Sequence, residues 1–310
     1  MFSLLSDQKM KPLNVCIFLI LFFSVSFLHC GEKEEKKETA PQTEIISPPV
    51  LIKDVKSAYS RMKVIDESGI RNLYFVRDSG EEVLESAIHL YTPEKLQVLY
   101  TKKMFSSFLI FKNPKSVLMA GLGGGGIVHF MQFFFPDVSL DTVEIDAEIV
   151  KTAKELFYVK EKENSRIYIA DFLQYAEKTE KKYDLIFLDA FLKPSDRTDP
   201  SGTDKRFKEE AFYGLMKKRL NPKGALVINV NTFVGYEQDI LRMKKSFSNV
   251  YLFNAKGSGN VIAVCSTDSE KVSIQTMSER GDEIDLLRKP NFSFKKLSLL
   301  ERTEEILKNK

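Results

Sequence analysis

The sequence predicts an α/β protein in which a Rossmann-like, mostly parallel seven-stranded sheet follows a small N-terminal β-domain. Strand-like and helix-like segments alternate between residues 113 and 266, as they do where helices cover both faces of a parallel sheet. A glycine-rich turn, residues 121–126, directly follows a short apolar strand. An acidic residue then follows each of the next three predicted strands.

The bulk composition narrows the classes of function. The chain has 310 residues, with 46 basic and 43 acidic side chains and a formal net charge of +3. Because basic and acidic side chains nearly balance, the protein has no strongly positive electrostatic field that would favour binding to a nucleic acid. Three cysteines do not indicate a disulfide framework. No Cys/His spacing typical of a zinc site is present, so we expect no metal.

Residues 1–30 have the features of a lipoprotein signal peptide. The uncharged run VCIFLILFFSVSFL follows Lys9 and Lys11; it is shorter than the about 20 apolar residues of a comfortable membrane span and is typical of a secretory signal. Cys30 comes directly after it and resembles the lipidated cysteine of bacterial lipoproteins, although Phe27 and His29 differ from the preferred residues of such sites. An uncleaved anchor or a buried helix is the alternative.

The segment after Cys30 fits a tether. Residues 31–50 are charged, then rich in proline, and poor in large apolar groups, so they bury too little surface to offset chain entropy. We therefore expect an exported protein anchored to a membrane, on the periplasmic face or the cell surface.

Residues 51–112 predict the small β-domain and a helix. Turn signals at residues 67–69 and 78–80 flank the alternating segment RNLYFV, which favours a hairpin of two strands. Thr92 and Pro93 are typical of a helix start. Apolar residues then recur at helical spacing as far as Phe108.

The following region, residues 113–266, predicts the main sheet. The strands are expected at 116–120, 140–145, 166–170, 183–188 and 225–230, with an antiparallel pair at 250–253 and 260–265. The helices between them are expected at 127–135, 147–158, 172–178, 209–219 and 237–247. Residues 267–310 predict a helical tail that either packs on the domain or mediates self-association into a homodimer.

Polar residues follow the strands at the edge where such sheets bind ligands. A glycine turn places backbone N–H groups at a helix N-terminus, and an acid about 20 residues later suits ribose hydroxyls. Each acid alone is equally well read as a helix cap, but three after successive strands favour a ligand site. The predicted ligand-binding residues are Gly121, Gly123, Gly124, Gly125, Glu144, Asp146 and Asp171.

Longer stretches carry a resemblance to a known family. The segment VLMAGLGGGGIVHFMQFFFPDVSLDTVEIDAEIVKTAKELF, followed by YIADFLQYA and YDLIFLDAF, resembles the spermidine synthase (polyamine aminopropyltransferase) family of the AdoMet-methyltransferase fold. The resemblance covers roughly residues 53–266. It implies decarboxylated AdoMet, AdoMet or methylthioadenosine as the ligand, and a small-molecule amine as the acceptor.

The resemblance also implies roles for single residues. It implies that Glu144 contacts the ribose, that Asp171 lies at the adenine region and that Asp189 is the catalytic acid. Tyr100 falls where the family has an active-site tyrosine, although membership of the helix's apolar stripe explains it equally well. Chemically, a carboxylate such as Asp189 can orient an attacking amine and accept its proton.

The sequence also departs from the family pattern. Gly124 stands where aminopropyltransferases usually carry an aspartate that holds the aminopropyl amine, and Thr101-Lys102 replaces a His-Glu pair. Asp189 lacks the second aspartate that usually follows it, and Asp196 is the candidate to compensate. These changes weaken the case for putrescine or spermidine as the acceptor, because a polycation needs several carboxylates.

Three functions therefore remain open. The first is aminopropyl transfer from a decarboxylated-AdoMet-type sulfonium to an amine. The second is AdoMet-dependent methyl transfer, which Gly124 favours because a loop aspartate would repel the AdoMet carboxylate. The third is non-catalytic nucleoside binding by a lipoprotein, which export favours because AdoMet is made in the cytoplasm.

Overall fold

The computed structural model describes residues 48–232, 235–255 and 257–298. The predicted signal peptide, Cys30 and most of the tether lie outside these residues. In the described ranges, no helix has both the length and the hydrophobicity for crossing a membrane.

The N-terminal part is a four-stranded antiparallel sheet in sequential order. Its strands are β1 (Val50–Lys56), β2 (Arg61–Glu67), β3 (Ile70–Val76) and β4 (Glu82–His89). The prediction of a two-stranded hairpin was incomplete, because two further strands flank it. The burial of β1 and β4 does not follow a clean alternation, so the period-2 signal that identifies a strand is weak there.

The helix predicted from Thr92 begins later. The Thr92 backbone N–H and hydroxyl both lie within 3.2 Å of Nδ1 of His89, so residues around Thr92 complete a turn after β4. Two short helices follow, α1 (Leu99–Met104) and α2 (Ser107–Ile110). The predicted helical start was therefore wrong by about two turns, since residues around Thr92 belong to this turn.

The main sheet has seven strands in the order β10-β11-β9-β8-β5-β6-β7. These are β5 (Ser116–Ala120), β6 (Ser139–Glu144), β7 (Ser165–Ile169), β8 (Tyr183–Leu188), β9 (Leu220–Asn231), β10 (Asn249–Ala255) and β11 (Asn260–Ser266). Strands β5 to β9 pair in parallel, and β11 is antiparallel to both β9 and β10. The predicted Rossmann-like, mostly parallel seven-stranded fold is confirmed.

Helices cover both faces of this sheet, and two apolar clusters form the core. The helices are α3 (Gly126–Phe134), α4 (Ala147–Leu156), α5 (Phe172–Lys178), α6 (Glu210–Arg219), α7 (Tyr236–Ser246), α8 (Ile274–Arg288) and α9 (Phe294–Ser298). The last two belong to the tail and pack on α2, where Nη1 of Arg280 donates to the carbonyl oxygens of Leu109 and Ile110 at 2.8 and 2.7 Å.

The order of the strands along the chain reverses between β5 and β8, which makes this point the switch point of the sheet. From β5 the chain continues to β6 and β7 on one side, and then crosses to β8 and β9 on the other. Loops leaving β5 and β8 therefore diverge at their carboxyl ends, and such switch points form ligand crevices.

Candidate active site

A cleft of about 1170 Å³, including its open mouth, lies at this switch point. Its floor comes from loops at the carboxyl ends of β5, β6, β7 and β8, and one wall comes from the small N-terminal sheet. The structure brings Tyr100, Glu144, Asp146, Asp171 and Asp189 together around it. Their contacts with a ligand stay predictions.

The glycine turn permits a close approach of two backbones. Gly121 has φ of +91°, and a Cβ added there would lie 2.0 Å from the carbonyl oxygen of Asp189. A side chain at this position would therefore separate the loops after β5 and β8. Gly121 and Gly123 line the cleft, whereas Gly124 and Gly125 face Phe157 and Val159 behind the turn.

Glu144 is buried at the end of β6 and joins the glycine turn to helix α4. Its Oε2 accepts from the Leu122 N–H and its Oε1 from the Asp146 N–H, both at 2.9 Å. Burial raises the pKa of Glu144, and these two hydrogen bonds oppose the rise. A carboxylate offers about four acceptor sites, so capacity remains for the hydroxyls of a sugar.

Asp146 fixes the entry of helix α4. Its Oδ1 accepts from the Glu148 N–H at 2.9 Å, as an N-cap does. Its Oδ2 accepts from the hydroxyls of Ser57 at 2.5 Å and Ser60 at 3.4 Å. Both oxygens are therefore engaged within the protein, and Asp146 ties the small sheet to the rim of the cleft.

Asp171 caps helix α5 and pairs with an arginine across the cleft mouth. Its Oδ1 accepts from the N–H groups of Leu173 and Gln174 at 2.8 and 3.2 Å, and Nη2 of Arg206 lies 3.0 Å from Oδ2. Burial alone would raise the pKa of Asp171, but the hydrogen bonds and charge of Arg206 and the backbone donors lower it below its ordinary value. The side chain is therefore engaged, and the neighbouring backbone is more available to an adenine.

Asp189 follows β8 and receives hydrogen bonds from two side chains. Nδ2 of Asn229 donates to its Oδ1 at 2.9 Å, and Oδ1 of Asn229 in turn accepts from Asn260 at 2.9 Å. The Tyr100 hydroxyl also hydrogen-bonds the carboxylate. Burial raises the pKa of Asp189 to about 6, although both hydrogen bonds lower it. A carboxyl group with this pKa can accept a proton near neutral pH.

Sequence reasoning missed Asn229 and Glu85. Asn229 is a polar residue near the carboxyl end of the buried strand β9, and that placement is the signal that identifies it. Glu85 lies on β4 and lines the cleft near Asp189. Burial and the charge of Asp189 raise the pKa of Glu85 to about 7, against the attraction of Arg77. Its only sequence signal is an acid within a strand whose apolar pattern is irregular.

The structure changes the interpretation of two positions, Lys102 and Asp196, that bear on the departures from the family pattern. Lys102 does not line the cleft, so its charge does not oppose a cation there directly. Asp196 is exposed and lies outside the residues that line the cleft. The suggestion that Asp196 supplies the missing carboxylate is therefore wrong; the loop that carries it leaves it in solvent.

The cleft combines a glycine turn, several acids and a carboxyl group that can accept a proton near neutral pH. In the described ranges, no group of three or more His, Cys, Asp or Glu side chains forms a cluster suited to a metal ion. The strand order and the position of the cleft define a Rossmann-like protein of the AdoMet-methyltransferase fold class.

Comparisons with known proteins identify the family. The spermine/spermidine synthase domain matches residues 98–274, more than half of the chain. The protein therefore belongs to the spermine/spermidine synthase family.

Single relatives have names that differ in the group transferred. The polyamine aminopropyltransferase of Vibrio vulnificus is 24% identical over 241 residues, covering 76% of this chain and 78% of the relative. The human eEF1A lysine and N-terminal methyltransferase is 28% identical over 210 residues, covering 61% of this chain and 29% of that protein. A spermidine synthase solved with the transition-state analogue AdoDATO superposes with a TM-score of 0.62 at 16% identity, covering 80% and 83% of the two chains.

Proposed function

We propose that the protein transfers an aminopropyl group from decarboxylated AdoMet to a small-molecule amine. The observation that carries the proposal is that Asp189, held by a hydrogen bond from Asn229, lines the same cleft as Tyr100 and Glu144. Membership of the spermine/spermidine synthase family supports it. The similarity to polyamine aminopropyltransferases, over about three quarters of the chain, supports it as well.

The reaction follows from the charges of the partners. The lone pair of the acceptor nitrogen forms a bond to the propyl carbon next to the sulfonium sulfur. The S–C bond breaks with its electrons on sulfur, and neutral methylthioadenosine leaves. Asp189 accepts the proton that the nitrogen loses and passes it to water. Held by Asn229 and Tyr100, its carboxylate needs little reorganisation during the step.

A product assay tests the proposal. The full chain is incubated with decarboxylated AdoMet and a panel of primary amines, and mass spectrometry measures methylthioadenosine and aminopropylated amine together. Asp189→Asn should lower the rate by at least about 100-fold, since general-base catalysis contributes that much or more. Asp196→Asn, in the exposed loop, is the matched control and should be as active as wild type. An Asp189→Asn variant with wild-type activity would remove the mechanism.

Methyl transfer is the second candidate. The similarity to the human methyltransferase and the absence of an acid at Gly124 favour it. The same assay run with AdoMet separates the two, because methyl transfer gives S-adenosylhomocysteine instead of methylthioadenosine. Binding without either product would support a non-catalytic nucleoside-binding role.

Export and anchoring are a separate proposal that depends on the N-terminal sequence. An apolar run followed by Cys30 and a charged, Pro-rich segment supports lipidation and attachment to a membrane. Cell fractionation of wild type and Cys30→Ser tests it: the wild type should sediment with membranes and carry labelled lipid, and the variant should not carry it. Equal labelling of both forms would contradict the proposal.

A homodimer is proposed from the described part of the tail. The exposed side chains of Leu286 and Leu287 on α8 support self-association, with 73% and 68% of their surfaces exposed. Light scattering after size-exclusion chromatography should give twice the chain mass for wild type, and Leu286→Ser/Leu287→Ser should give the single mass. A wild type of single mass would contradict it.

A further inference from the structure

Strand β4 contains an irregularity directly beside the candidate active site. Leu73 of β3 pairs with Ser86, but the next residue, Tyr74, pairs with Leu84. Glu85 is therefore an extra residue in β4, a β-bulge. Bulges next to active sites re-aim side chains that a regular strand would direct elsewhere. Here three consecutive residues, Glu85 to Ala87, line the cleft.

The bulge places Glu85 beside Tyr100 and Asp189. The Tyr100 hydroxyl lies 3.4 Å from the Glu85 carbonyl oxygen and also hydrogen-bonds the Asp189 carboxylate. Because a hydroxyl has one proton to donate, these two acceptors compete for it. The carboxylates of Glu85 and Asp189 are close enough to repel each other.

The two acids differ in how the protein satisfies them. Asp189 accepts from Asn229 and Tyr100. For Glu85, no donor in the described ranges reaches the carboxylate within hydrogen-bond or ion-pair distance. Arg77, the cation whose charge acts on Glu85, pairs instead with Glu81 at 3.1 Å. Glu85 is half-buried, and an acid that is partly withdrawn from water without a donor is costly to ionise, so a cation that enters the cleft would stabilise its charged form.

The glycine turn cannot hold an acid at its usual place. A Cβ on Gly124 would lie 2.7 Å from the Phe157 ring and 3.0 Å from Oγ of Ser86. Ser86 is the residue next to Glu85 in the bulge. Phe157 therefore fills most of the space beside Gly124, and Ser86, which closes the rest, is the neighbour of the residue that presents a carboxylate to the cleft.

We infer that Glu85, together with Asp189, binds an alkylammonium group of a substrate and so sets the specificity of the site. The inference rests on the proposed function. An ammonium between two carboxylates relieves their repulsion and gains charge-assisted hydrogen bonds. The same pair disfavours a ligand that brings a carboxylate, so the cleft should prefer decarboxylated AdoMet to AdoMet. The ammonium belongs either to the aminopropyl group of the donor or to the acceptor amine.

Binding and kinetics with matched ligands separate these two sources. Methylthioadenosine has the nucleoside but no ammonium, and decarboxylated AdoMet has both. If Glu85 holds the donor ammonium, Glu85→Gln should lower the affinity for decarboxylated AdoMet by at least about tenfold. It should change the affinities for methylthioadenosine and for its S-methyl sulfonium, which has the sulfonium charge but no ammonium, by less than about twofold. If it holds the acceptor, all these affinities should stay constant, and the KM for the amine should rise by at least about tenfold.

Controls keep the inference distinct from the proposed function. Glu85→Asp retains the charge and should recover part of the lost affinity or KM, and Glu67→Gln, exposed on the same small sheet, should match wild type. The inference is overturned if Glu85→Gln alters neither the discrimination between the two nucleosides nor the amine KM. It is also overturned if Glu85→Gln lowers the affinities for all the ligands by the same factor. The proposed function fails separately, if wild type binds neither nucleoside.

Discussion

Replacing Glu85 by glutamine should change how stability depends on pH. The folded protein raises the pKa of this carboxyl group from an ordinary 4.5 to about 7. An acid with a raised pKa binds its proton more tightly in the folded than in the unfolded state. Its stabilising effect is therefore complete below about pH 4.5, and it is lost as the pH rises through 7. Glutamine keeps the size of the side chain and removes this titration.

The magnitude follows from the shift. Raising the pKa from 4.5 to about 7 corresponds to about 3 kcal/mol, since each tenfold change in an acid's dissociation constant is about 1.4 kcal/mol. Loss of hydration contributes most to the raised pKa, and the charge of Asp189 adds to it. We expect the free energy of unfolding of Glu85→Gln, relative to wild type, to increase by about 2–3 kcal/mol between pH 5 and pH 8.

Urea unfolding at several pH values measures this difference. The chain has no tryptophan, so far-ultraviolet circular dichroism is the suitable signal. Glu67→Gln serves as the exposed control, and its difference from wild type should stay constant with pH. If the curves of Glu85→Gln and wild type run parallel from pH 5 to pH 8, the Glu85 carboxylate is not buried beside Asp189 and the reasoning is refuted.

Three further predictions follow from the same cleft. With Asp189 as the base, the rate should fall as the pH drops through about 6, and a pH–rate profile without that limb would contradict its role. Gly121→Ala should destabilise the protein by at least about 2 kcal/mol, since its Cβ meets the Asp189 carbonyl; unchanged urea unfolding would contradict the close approach. Gly124→Asp should lower the melting temperature and should not tighten the binding of decarboxylated AdoMet, because the Phe157 ring occupies the space that the new side chain needs. Calorimetry that showed tighter binding would contradict this.

The main sheet and much of the cleft could be predicted from local sequence signals. A buried strand followed by glycines, and strands followed by acids, place Glu144, Asp171 and Asp189 on the same edge because parallel strands share their carboxyl end. The small sheet was harder, since β1 and β4 lack a clean alternation of apolar residues. The start of α1 was wrong because Thr92 lies in a turn that closes on His89, a contact that helix-capping rules do not include.

Pairings between distant residues could not be predicted. The bulge at Glu85 depends on the register between β3 and β4, and a single residue of slip redirects a side chain. Arg206 reaches Asp171 from 35 residues away. Asn229 meets Asp189 only because β8 and β9 are neighbours in the sheet. Local patterns therefore locate the acids, while tertiary contacts decide which of them stay available to a ligand.

The most direct test of the cleft as a nucleoside site is a crystal structure of the protein with methylthioadenosine. The ribose hydroxyls should lie within hydrogen-bond distance of Glu144, the adenine near Asp171, and the sulfur should face Asp189 and Tyr100. A nucleoside bound elsewhere, or an empty cleft at millimolar ligand, would contradict the account.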